Sequence, residues 1–483
     1  MKRFAGTVLM AMAAALPAAA KDTPPPKVAL PAAYRIPGGA QPLAPAALDQ
    51  WWRLFDDPML NALEAEAATS AIDARTAAAR ILEARATRAA QTAATWPSGS
   101  ITGNASDQQA YDIGGGGNDL NPTSGVTKSV TGNFNVSWEL DLFGRLRVAR
   151  RVANADAAEA RFDVEGTRAA LAADVADAYF QGKGFAIQLA DARETLRIQS
   201  GLLSVARRKA AAGAGPEDEA DRVAGLVAQD EAQVADLQSQ LDSSRIRLLI
   251  LVGRDLSAMG DVDLTAAPPE PPATPMALPS QLLTRRPDVR EAEFRLRAAL
   301  GTARLAHLAI FPTITLLPGL GLSSIESPGV SYIPPTTLIS SQQTTTTGFW
   351  TLAAGVSQPT LDIPKLLDQA RAEDARTRQA AIAYEGAVRT AFGEAQTAFI
   401  DLEAGRRATR ILADGEVHAR RAFEASRRRY AEGLDDLTAT LGAEQSWRTI
   451  HSALTSERID TLRRAVRTCK ALGGGWASGA VGG

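Results

Sequence analysis

Three histidines, one cysteine, a glycine run and an arginine cluster are the groups in this 483-residue chain on which catalysis or metal binding would have to rest. His307, His418 and His451 lie far apart in sequence, and the single cysteine is Cys469. Zinc sites gather Cys, His or carboxylate ligands at short characteristic spacings, and one cysteine with these histidines offers none. His307 reads as a packing residue in a helix approaching Phe311-Pro312. Gly114–Gly117 is a run of four glycines without the Lys-Ser/Thr that completes a phosphate loop. Arg285-Arg286-Pro287-Asp288 carries charge suited to an anion, but its residue types also fit a helix start. Pro287 would take the first helical position and Asp288 the positive end of the dipole. The residues therefore predict no enzyme, no metal and no cofactor.

The elements that would position any site are unusual. Charge is nearly balanced, 52 Lys and Arg against 54 Asp and Glu, which argues against a nucleic-acid partner. Aromatic residues are only 5%, few for ordinary globular cores. Residues 1–20 read as a secretory signal peptide: Lys2 and Arg3 are basic, Phe4 to Leu16 is a short apolar run, and Ala18-Ala19-Ala20 fits a cleavage site. The mature chain is then expected to begin at Lys21, with no cysteine there to carry a lipid. One cysteine excludes an intrachain disulfide. No other run reaches the ~18 apolar residues of a transmembrane helix, so a membrane-spanning form would have to use strands.

Residues 21–59 begin with an extended Pro/Ala-rich stretch, and helix is expected from about Asp49 to Thr95. Val130 to Leu142 alternates, with Val130, Phe134, Val136, Trp138 and Leu140 on one parity and Thr131, Asn133, Asn135, Ser137 and Glu139 on the other. A proline-free stretch from Arg145 to Ala212 follows, then a turn at Ala211 to Pro216 and a return helix over 217–251. The pattern then recurs. Asp73, Arg80 and Trp96-Pro97 match Asp288, Arg295 and Phe311-Pro312 at an offset of 215 residues. Arg145, Tyr179, Gly213 and Gly253 match Lys365, Phe399, Gly433 and Gly473 at an offset of 220. A constant register across a long helix, its turn and its return helix reads as duplication.

The first repeat is placed at 60–260, with strands at about 98–110 and 128–143 and a long helix at 145–212. A Pro-rich linker occupies 261–279. The second repeat is placed at 280–473, with strands at about 312–324 and 346–361 flanking a Ser/Thr-rich loop, a long helix at 365–431 and a return helix at 435–472. Residues 474–483 read as a flexible Gly-rich tail. The fold class is thus α+β, mainly α.

Alternating strands of this length suit the wall of an outer-membrane barrel, whose sheet must close so that every backbone group is paired. Four strands cannot close around a channel, so a membrane role requires several chains. The other possibility is a soluble four-stranded sheet with one buried face, within a periplasmic helical scaffold. Helices of this length cannot be stable alone and must pack along their length.

The whole mature chain resembles the TolC-like outer-membrane factors, in the NodT branch that serves RND-type efflux pumps. "QLLTRRPDVREAEFRLRAALGTARLAHLAIFP" from Gln281 carries most of the resemblance, with "SWELDLFGRLRVARRVA" from Ser137. "WWRLFDDPMLNAL" from Trp51 and "RYAEGLDDL" from Arg429 support it. The resemblance implies a homotrimer with a twelve-stranded barrel in outer-membrane lipid, continued into the periplasm by a helical barrel with an equatorial belt at 21–59 and 261–279. It implies passive exit for substrates of an inner-membrane RND transporter, through a channel opened when a periplasmic adaptor docks. Type I secretion is the alternative within the same class.

Residue by residue, the resemblance places Gly213, Gly215, Gly433 and Leu434 at the periplasmic tip. It makes Arg429 and Tyr430 candidates for an iris latch, with Asp435, Asp436 or Glu444 as the carboxylate. The family's usual aspartate is absent, because Gly442 stands there. Val130, Phe134, Val136, Trp138 and Leu140 would face lipid. Gly144 with Arg145, and Pro364 with Lys365, would be the seams between barrel and tunnel.

Overall fold

The computed structural model describes residues 28–31, 34, 41–42, 48–110, 125–213, 217–273, 275–276, 279–333, 337–432 and 434–476. The expected signal peptide lies outside these residues. Eight α-helices are described: α1 (Pro58–Ser70), α2 (Ile72–Ala93), α3 (Arg145–Ala211), α4 (Glu217–Val252), α5 (Pro279–Arg285), α6 (Pro287–Leu308), α7 (Ile363–Ala431) and α8 (Leu437–Ala471). Six strands accompany them: β1 (Gln41–Pro42), β2 (Ser98–Ala110), β3 (Gly125–Glu139), β4 (Pro275–Met276), β5 (Thr313–Ile333) and β6 (Thr337–Ser357). The fold is mainly helical with a small sheet. Among the described residues no helix is long and apolar enough to cross a membrane.

The chain forms two compact units, and each draws on both halves of the sequence. The first comprises Arg85–Ala157 and Arg295–Ala380. It holds an antiparallel sheet in the order β2-β3-β5-β6. Its strands differ from the alternation-based reading in two places. The Ser/Thr-rich stretch expected as a loop is strand on both sides of 334–336, because β-branched threonines suit a pleated ladder. The strand expected to reach residue 143 ends instead at Glu139, where Asp141 is drawn into capping α3.

The second unit comprises the described residues of Pro26–Ala84, Ala158–Phe294 and Ala381–Gly483. Its core joins Trp51, Phe55, Leu60 and Leu63 to Tyr179 and Phe180 of α3, Leu248 and Leu249 of α4, and Leu462 and Val466 of α8. At its centre Asp57 is 7% and Lys183 1% exposed. Their side chains meet at 2.9 Å, and the Tyr179 hydroxyl donates to Asp57 at 3.0 Å. Asp57 also accepts from the amides of Met59 and Leu60, capping α1. Burial pushes the Asp57 carboxyl up, but Lys183, the Leu60 amide and Tyr179 outweigh it and hold it below the ordinary range.

Pro287 opens α6 and Asp288 lies in its first turn, as the residue types predict. The two arginines before it tie segments together. Arg285 pairs with Asp49, while Arg286 reaches Asp288, Glu394 of α7 and the carbonyl of Ala471. The expected flexible tail is corrected at its start. Trp476 is 4% exposed, donates to the Arg285 carbonyl at 2.8 Å and packs edge-on against Phe162. The Gly475 amide bonds the carbonyl of Leu48. An indole that buries its ring and satisfies its N–H is anchored, whatever the glycine content before it. Residues 477–483 lie outside the described residues.

Candidate functional site

Cross-strand register settles which side chains share a face, since paired residues in an antiparallel ladder point the same way. Ile101 pairs with Phe134, Phe134 with Leu320, and Leu320 with Trp350. One apolar row therefore crosses all four strands on one face. Its members are all exposed, Ile101 at 84% and Trp350 at 75%. Val130, Trp138, Leu322, Leu352 and Val356 are exposed on the same face, while Val136 and Leu140 are half-buried. The opposite face carries Thr102, Asn133, Asn135 and Thr351. Among the described residues three large apolar side chains break that rule. Leu317, Ile325 and Phe349 lie on the polar face, and the Phe349 ring covers Gly321, where a Cβ would come 2.6 Å from Phe349 Cε2 and 2.7 Å from Asn133 Oδ1.

The turn from β3 into α3 is built by its own acids. The Leu140 amide still bonds the Ile314 carbonyl at 2.8 Å, and the chain then leaves the ladder. Asp141 accepts from the amides of Leu146 at 2.9 Å and Arg147 at 3.1 Å, satisfying orphan donors of the helix start. Gly144 has φ +79, a left-handed turn that a Cβ would strain. Arg145 reaches back to donate to both Glu139 carboxylate oxygens from Nε and Nη2, and Phe143 stacks on Phe311 at 5.1 Å. At the second seam α7 begins at Ile363, so Pro364 and Lys365 lie in its first turn, where proline loses no helical bond.

At the far ends of the long helices, Gly213 and Leu434 are exposed, Leu434 at 72%, and Gly215 and Gly433 lie outside the described residues. Arg429 pairs with Asp435 at 2.9 Å, and Ser426 donates to the same carboxylate. Arg429 holds the Asp435 carboxyl below its ordinary range. The Tyr430 hydroxyl accepts from Lys209 of α3, whose ammonium also sits 4.5 Å over its ring. Asp436 is the N-cap of α8, accepting from the Ala439 amide at 2.7 Å. Glu444 is 1% exposed within this chain and accepts from Gln199 at 3.1 Å. Burial pushes its carboxyl up, against the pull of Arg448. The structure thus joins Arg429 to Asp435 and Tyr430 to Lys209, and brings neither Asp436 nor Glu444 to them. Lys209 carried no signal in the sequence, because its partner is 221 residues away.

A four-stranded sheet with an exposed apolar row that leads into very long helices is an architecture shared with a solved outer-membrane channel. The chain matches the outer membrane efflux protein family over residues 65–254 and 278–474, and it belongs to that family. It is an outer-membrane efflux channel, a transport protein. Among its relatives is the pyoverdine export outer membrane protein OpmQ of Pseudomonas putida, 28% identical over 97% of each chain. The toluene efflux pump outer membrane protein TtgF, from another strain of Pseudomonas putida, is 28% identical over 88% of this chain and 85% of its own. The solved outer-membrane channel OprN superposes with a TM-score of 0.80 at 25% identity, covering 94% of this chain and all of that one.

Proposed function

We propose that three copies of this chain close a twelve-stranded barrel in outer-membrane lipid, and that it gives passive exit to small organic substrates of an RND-type pump. The observation that carries this reading is the Ile101–Phe134–Leu320–Trp350 row. It is fully apolar and exposed, and it belongs to a sheet whose edge strands β2 and β6 each have one unpaired side among the described residues. In lipid such edges must be paired, and four strands per chain reach closure only by assembly. Substrate class follows the named activities of relatives, pyoverdine export for one and toluene efflux for another.

The internal duplication is part of the same reading. Long helices of 67 and 69 residues are followed by return helices of 36 and 35, which end at Gly253 and Gly473 with φ +81 and +76. We take Gly213, Gly215, Gly433 and Leu434 as the adaptor-facing tip. Arg429–Asp435 and Lys209–Tyr430 support a latch wired within the chain, in place of the missing aspartate at Gly442.

The test is fractionation of cells expressing the full-length protein, with an efflux assay after deletion. The expected outcome is heat-modifiable trimers in the outer-membrane fraction and hypersensitivity to pump substrates. A soluble, monomeric mature protein would overturn the proposal.

A further inference from the structure

His451 of α8 lies between two carboxylates that belong to the two long helices. Its Nε2 is 3.1 Å from Asp191 Oδ2 on α3, and its Nδ1 is 3.4 Å from Glu416 Oε1 on α7. Ionised carboxylates accept hydrogen bonds and cannot donate them, and a neutral imidazole has only one N–H. With a neutral ring, one of these two contacts sets a lone pair against an anion. Only the doubly protonated ring donates to both. The two nitrogens point in different directions, so the trio cannot close on one metal ion.

We propose that His451 is a proton-operated tie: the imidazolium fastens α3 to α7, and loss of its proton releases Asp191. This rests on reading the long helices as the wall of a channel whose opening needs them to move. The partners fix which side lets go. Glu416 is 4% exposed and also accepts from Trp447 at 2.9 Å and from Arg420 Nη2 at 2.6 Å, so it is held without the histidine. Trp447 stacks on Phe423 of α7, at 5.4 Å and 6° between ring planes, and sits against the His451 ring. Asp191 has His451 alone as its partner among the described residues.

Among the described residues, other charged side chains on these helices have partners of their own. On the α4 side Asp230 pairs with Arg448 at 2.7 Å. On α3 Arg193 bonds Gln238 of α4. Arg420 pairs with Glu416, and its charge opposes the ring's. The hydrogen bond to Asp191 raises the His451 pKa, burial opposes it, and Glu416 adds to the rise. A raised folded value means that the tie is complete below the ordinary value of 6.5 and is lost as pH climbs through the higher one.

The experiment uses the full-length protein in planar bilayers, as wild type, His451→Gln and Asp191→Asn, from about pH 5.5 to about 8.5, the range in which histidine changes charge. The open fraction of the wild type should rise severalfold with pH, and both variants should flatten that rise. The ring carbons of the labelled histidines, followed by NMR and assigned with His451→Gln, should give a His451 titration above the ordinary value, shifted down in Asp191→Asn. A wild-type channel whose pH profile is unchanged in both variants overturns the tie, as does a His451 titration at or below the ordinary value. If no variant conducts at any pH, the channel reading fails, and the titration still decides whether the tie exists. If His451→Gln does not fold, Asp191→Asn carries the same comparison.

Discussion

Asp57 caps a helix, anchors Lys183 and receives the Tyr179 hydroxyl, all in the centre of the second unit. Removing one partner of a buried pair leaves the other charge uncompensated, at a cost of roughly 3–5 kcal/mol. Asp57→Ala should therefore lower the melting temperature of the purified protein far more than substitution of the exposed Glu194–Arg197 pair. The Asp57 carboxyl is lowered from 3.8, so its contribution is present above that value and fades as pH falls toward the folded one. An acid titration of melting temperature should show this loss in the wild type and less of it in Asp57→Asn. None of this was legible beforehand. Asp57 and Lys183 are 126 residues apart, and a lone acid before Pro58 announces only a cap. His451 was hidden for the same reason, since its partners are acids on two distant helices.

At the level of the element, what could be read was period and what could not was partnership. The even-numbered residues Val130 to Trp138 share a face because a strand's side chains alternate strictly. The register then extends that face across β2, β5 and β6. Parity also locates Trp350 on the apolar face, but in a Phe-Trp dipeptide it gives no reason for an aromatic at 349. The reason is Gly321 across the ladder, whose bare backbone receives the Phe349 ring. Gly321→Val should overpack that contact, at about 1–3 kcal/mol, and reduce the yield of assembled protein. Gly348→Val is the control, because a Cβ there meets nothing within 4 Å. Equal yields from the two variants would show that the Phe349 contact is immaterial. The Ser/Thr-rich stretch misled because composition suggests loop, while threonine in a paired ladder is a good strand residue.

For the whole molecule, Phe134 decides between a membrane wall and a soluble sheet. An arginine on the lipid face of a barrel costs about 2–4 kcal/mol near the midplane. Phe134→Arg should block appearance of the protein in the outer membrane and leave it to proteolysis in the periplasm. Thr102→Arg, on the polar face, should still assemble. The mainly helical class with a small sheet, and membership of the efflux family, were legible because the diagnostic stretches at 137 and 281 are long. The composition of the two compact units was not, because each is assembled from segments on either side of the middle of the chain.

The clasp at Trp476 is among the last contacts this chain can make as it is synthesised. The indole closes on Arg285, and its neighbour Gly475 on Leu48, so some of the last described residues bond to some of the first in the ordered core. A chain emerging from a translocase amino terminus first cannot complete that closure until synthesis has passed residue 476. A product cut short before residue 475 lacks both bonds, the one to Leu48 and the one to Arg285. Trp476→Ala should leave a full-length protein that added protease cuts near Leu48 and Arg285 faster than it cuts the wild type, and equal cleavage of the two would show that the indole does not hold these segments.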